Sequence, residues 1–72
     1  MQINDWIQIG EEWAEDAFLQ YQEGTPKAKA VREGKAEMTL TVELEGADRW
    51  SEEWEAAEDG FNMEWSRLER QS

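Results

Sequence analysis

Apolar positions over the first 23 residues recur at three- and four-residue steps, with Ile3, Trp6, Ile7, Gly10, Trp13, Ala14, Ala17, Phe18 and Tyr21 on one stripe. At about 100° per residue these side chains share a face, which is the signature of an amphipathic helix. Asp5 and Gln8 have capping-box spacing, so the helix is expected to start at Trp6 and to stop before Gly24 and Pro26. A rival reading makes Ile3, Ile7 and Ile9 a short strand ended by Gly10, with a helix only from Glu11. The longer helix is preferred because the stripe passes through Gly10 in phase.

The middle of the chain changes period. Ala36, Met38, Leu40, Val42 and Leu44 alternate with Glu37, Thr39, Thr41, Glu43 and Glu45, the pattern of a strand with one wet face. A preceding strand over residues 27–32 pairs with it through a three-residue loop, Glu33-Gly34-Lys35. That register sets Ala30 against Met38 and Ala28 against Leu40, and it brings Lys27 and Lys29 diagonally to Glu43 and Glu37 on the wet face.

Two patterns compete for the last segment. Ala47, Trp54, Phe61 and Leu68 recur every seven residues, with Trp50, Ala57 and Trp65 on the same stripe and Asp48 placed to cap a helix. Asp59-Gly60 is also a two-residue hairpin signal that would set Trp54 against Trp65. Glu and Ala over residues 52–58 favour the helix. The expected fold is therefore α+β in one small domain, residues 1–72: an N-terminal amphipathic helix, an antiparallel β-hairpin and a C-terminal acidic helical segment. The alternative ends in a β-hairpin turning at Asp59-Gly60. All five tryptophans are expected to serve the core, since a short chain needs large side chains to build one.

Composition narrows the chemistry. The chain has 72 residues and neither Cys nor His, which leaves it without disulfide, thiolate, imidazole or zinc chemistry. The carboxylates lack Asp-x-Asp-x-Asp-Gly spacing, so no metal, cofactor or catalytic residue is expected. Lys+Arg 7 against Asp+Glu 18 gives a net charge of −11, unfavourable for direct contact with nucleic acid or an acidic membrane surface. No stretch approaches the roughly 18 apolar residues of a membrane span, and no basic residue precedes Lys27 as a signal peptide would require. A soluble, cytoplasmic protein is expected.

The charge is unevenly spread. Residues 1–23 carry six acids and no base, residues 24–46 carry four of each, and residues 47–72 carry eight acids and three bases. On the first helix Glu11, Glu12, Glu15 and Asp16 fall opposite the apolar stripe, with Leu19 among them, and Glu52, Glu55 and Asp59 form the corresponding face of the last segment. These eight residues are the candidate partner-binding set. Acids clustered along a helix approach the linear charge of a nucleic acid over a short run, and an apolar residue at the centre of such a face suits an anchor. The partner implied is a protein with a basic, nucleic-acid-binding surface. A second reading is a small assembly or adaptor protein whose interface is the stripe carrying Trp50, Trp54 and Trp65, most simply a homodimer.

The opening Met1-Gln2-Ile3-Asn4-Asp5-Trp6-Ile7, the small size and the acidic terminal segments resemble the phage-encoded inhibitors of nucleic-acid enzymes, the anti-CRISPR and DNA-mimic proteins. That resemblance implies inhibition by occupying a site meant for DNA or RNA, without catalysis or cofactor. It supplies no active motif that maps onto particular residues of this chain.

Overall fold

The computed structural model of the chain describes residues 2–72, so Met1 of the opening heptad lies outside the described residues. Three helices follow one another: α1 (Ile3–Gln22), α2 (Lys27–Leu44) and α3 (Glu52–Gln71). There is no strand among the described residues. The α+β expectation is overturned, both in the central hairpin and in the alternative hairpin at Asp59-Gly60.

α1 runs through Gly10 as its stripe predicts, but it begins three residues earlier than expected. The backbone N–H of Gln2 donates to the Asp5 carboxylate at 3.0 Å, so Asp5 closes the first turn from within the helix instead of preceding it. Gly24 and Gly46, with φ of 119° and 101°, follow the ends of α1 and α2. Ser51, and not Asp48, caps α3 by accepting from the Trp54 backbone N–H at 3.2 Å.

α2 replaces the hairpin because its residues satisfy a helical period as well as an alternating one. Ala30, Gly34, Met38 and Val42 recur every four residues and are all buried, while Leu40 and Leu44, two positions out of phase, point away from the core at 53% and 88% exposure. Gly34 is no turn residue. A Cβ there would lie 2.7 Å from the Ala17 Cβ and 3.0 Å from the Phe61 ring, so its bareness lets α2 close on both other helices. Thr39 and Thr41 belong to no wet strand face either. Each donates its hydroxyl to the carbonyl four residues back, Lys35 and Glu37 respectively, and each accepts an indole N–H, from Trp54 at 2.7 Å and from Trp13 at 2.9 Å. Two bulky donors are thereby satisfied where an unpaired N–H would be costly. The expected pairs of Lys27 and Lys29 with Glu43 and Glu37 do not form. Lys27 instead reaches Glu69 at 3.0 Å, and Lys35 reaches Glu58 at 3.5 Å.

These long-range pairs define the topology. Residues 27, 35 and 39 meet residues 69, 58 and 54 in turn, so α2 runs antiparallel to α3, and α1 lies parallel to α3. α1 packs far more extensively on α3 than α2 does. The reason is a crossing of backbones: Gly10 faces the carbonyl of Ala57, and Gly60 faces the carbonyl of Ile7. Around this crossing Ala14, Met38, Val42, Ala57 and Phe61 are fully buried, flanked by Trp6, Trp54 and Trp65. Trp65 packs edge-on against Phe18, with ring centroids 5.1 Å apart.

One tryptophan leaves the core. Trp50 stands in the loop before α3, 71% exposed, with its backbone at φ 70° and its ring edge-on to Trp54 at 4.5 Å. The turn that Ser51 caps interrupts the seven-residue pattern there. A left-handed backbone at a bulky residue costs about 1–2 kcal/mol.

Candidate functional site

Most of the carboxylates lie on α1 and α3, chiefly on their outward faces. Only three of the 18 acidic side chains, Glu58, Glu64 and Glu69, pair with a base among the described residues. On α1, Glu12, Asp16 and Leu19 lie on the exposed side, Leu19 at 53%. Glu12 accepts only a long hydrogen bond, 3.4 Å, from Gln8. On α3, Glu52, Glu55 and Asp59 are exposed. Glu52 and Glu55 also sit in the first helical turn, where the helix dipole favours negative charge.

Glu11 and Glu15 have a different setting. They border the seam between α1 and α3, where Glu64 is buried and held by both arms of the Arg67 guanidinium at 2.6 Å. The hydrogen bond and charge of Arg67 hold the Glu64 carboxyl below the ordinary glutamate range. Glu15 is pushed the other way, because hydrogen bonding to Glu64, partial burial and the Glu64 charge all favour its protonated form. The eight candidate residues are thus not gathered in one pocket: two line a seam, three lie on the flank of α1 and three on the flank of α3.

The two shifts predict how stability depends on pH. Glu15, raised in the folded state, adds stability that is complete below its unfolded value and is lost as pH rises through its folded value. Glu64, depressed in the folded state, adds stability that is present above its unfolded value and is lost as pH falls through its folded value. The melting temperature should therefore climb as pH falls from 7, peak near the ordinary carboxylate range, and drop in stronger acid. Thermal melts across pH check this, and Glu15→Gln should flatten the climb while leaving the acid-side drop.

Features invisible to a single-helix reading complete the surface. Met63, 71% exposed, stands on the outer face of α3 much as Leu19 does on α1. Between α1 and α2 an open groove of about 440 Å³ is floored by Ala17, Ala30 and Gly34, walled by Trp13 and rimmed by Asp16, Glu33 and Glu37. A hairpin reading of Glu33 and Glu37 does not place them beside Asp16, whereas the helical α2 does. The Glu64–Arg67 spacing of three residues was a readable sign of an intrahelical pair. Among the described residues no group of acids is arranged to hold a metal ion, and no helix is long and apolar enough to cross a membrane. Comparison with protein-family models, curated proteins and solved structures finds no match.

Proposed function

We propose that this chain is a non-catalytic inhibitor of the anti-CRISPR or DNA-mimic type, which binds the basic, nucleic-acid-binding groove of a host or defence enzyme in the cytoplasm. The observation that carries this reading is the outward, largely unpaired placement of the acids on two parallel helices. Glu11, Glu12, Glu15 and Asp16 fall within about 9 Å of helix axis, and Glu52, Glu53, Glu55 and Asp59 within about 12 Å. Each run carries charge at least as densely as the one per roughly 3.4 Å of a nucleic-acid strand. A domain shaped by folding alone would gain by interspersing lysines on these faces, since like charges at helical spacing repel. The rival Trp-rich interface has less support, because Trp54 and Trp65 are buried within the single chain.

Glu12, Asp16 and Leu19 separate the two contributions to binding. Glu12→Lys with Asp16→Lys should slow association about tenfold at low salt and flatten its salt dependence, because these acids steer the encounter. Leu19→Ala should leave association unchanged and speed dissociation about tenfold, as loss of a desolvated anchor does. Both sites are exposed, so melting temperatures should hold. Rate measurements on a partner captured from host lysate at low salt provide the check. A double reversal that associates as fast as the parent at low salt would dismiss this face of α1.

A further inference from the structure

The outer face of α2 contrasts with the acidic flanks. Ala36, Leu40 and Leu44 recur at four-residue spacing on the side opposite the buried stripe, all exposed, with the two leucines at 53% and 88%. Trp50 extends this strip from the loop, sharing a shallow depression with Arg32 and Ala36. The strip belongs to the one segment, residues 24–46, whose acids and bases balance. In a chain of net charge −11, copies meeting through this segment face less like-charge repulsion than through the acidic terminal segments.

We propose that this face binds a second copy of the chain, with the two α2 helices antiparallel about a two-fold axis passing between Ala36 and Leu40. The charges along α2 are paired most fully in that orientation. Lys29, Arg32 and Glu33 occupy the N-terminal half of the face and Glu43 the C-terminal half. Arg32 and Glu43 lie on the same edge, about three turns apart. An antiparallel partner therefore brings its Glu43 to Arg32 and its Arg32 to Glu43, on either side of a seam made by Ala36 and Leu40. A parallel partner would bring the opposite edge of its α2 across, which sets Glu33 against Arg32 and leaves each Glu43 beside Leu44 without a base. The small Ala36 side chain permits close approach of the helices, and the Trp50 indole covers the edge of the seam on which Arg32 stands. Neither Arg32 nor Glu43 has an ion-pair partner within the chain among the described residues. The contact is isologous, so it closes at the dimer and leaves the acidic flanks of both copies facing outward. This inference stands apart from the inhibitor reading and does not depend on it.

Sedimentation of the whole chain from micromolar to near-millimolar concentration tests the proposal. A reversible monomer–dimer equilibrium is expected, and a monomer throughout the range overturns it. Leu40→Glu should abolish the dimer while leaving the helical content and dilute melting temperature unchanged, since Leu40 lies on the exposed face of α2. A dimer that survives Leu40→Glu uses another face and also overturns the proposal. Arg32→Glu and Glu43→Arg, each alone, should weaken dimerisation about tenfold, because each change is felt twice across the two-fold axis. The double variant Arg32→Glu with Glu43→Arg should restore it. Failure of that rescue excludes the antiparallel register.

Discussion

Gly10→Ala is expected to lower the melting temperature by on the order of 10 to 20 °C, and Gly60→Ala to do the same. At an exposed helical position the substitution would instead add about 1 kcal/mol of stability. The sign reverses because of what the added methyl group meets. At Gly10 it overlaps the Ala57 carbonyl and lies 2.8 Å from the Phe61 backbone nitrogen; at Gly60 it overlaps the Ile7 carbonyl and lies 3.1 Å from the Ile7 Cα. These obstacles are main chain and cannot rotate aside, so α1 and α3 must separate and loosen the Phe18–Trp65 contact as they do. Overpacking of this kind costs about 1–3 kcal/mol or more, and backbone opposition places both sites at the upper end. Thermal denaturation followed by circular dichroism reads the effect. A Gly10→Ala chain more stable than the parent would mean that the two backbones do not cross at this point.

Met38→Ala should cost about 2–5 kcal/mol, whereas Leu40→Ala in dilute solution should cost less than about 0.5 kcal/mol. Met38 is fully buried between the helices, and removing its side chain leaves a cavity that close-packed neighbours fill only in part. Leu40, two residues on, is on the opposite face of α2. In a strand the two would share a face and lose comparable stability. The ratio of the two losses, from urea titrations of both variants, therefore distinguishes helix from strand without any spectroscopic assignment of secondary structure. Equal losses would contradict the helical α2.

The same contrast explains how much of the fold was legible beforehand. The course and the end of α1 were readable because one stripe, a glycine and a proline agree on them, whereas its start was not, since Asp5 closes the first turn from within the helix. α3 was readable from Trp54 through Phe61 to Leu68, and its rival hairpin failed because Gly60 serves a helix crossing and not a turn. α2 was misread because Met38 and Val42 fit both a period of two and a period of four. What decides between those periods is distant in sequence: the indole donors of Trp13 and Trp54 seek Thr41 and Thr39, 28 and 15 residues away. The outward placement of Glu12, Asp16, Leu19, Glu52, Glu55 and Asp59 followed from helical spacing alone. The engagement of Glu15 with Glu64 and Arg67 did not, since it depends on how α1 and α3 are registered against each other.

Occupation of a nucleic-acid site is tested most directly by competition. A partner captured on the immobilised protein at low salt is titrated with the DNA or RNA that the partner itself binds, and the protein that remains bound is measured. Mutually exclusive binding is predicted, with release in proportion to the nucleic acid bound and no complex containing all three components. A stable ternary complex, with the affinity of the chain for its partner unchanged by nucleic acid, would contradict the account.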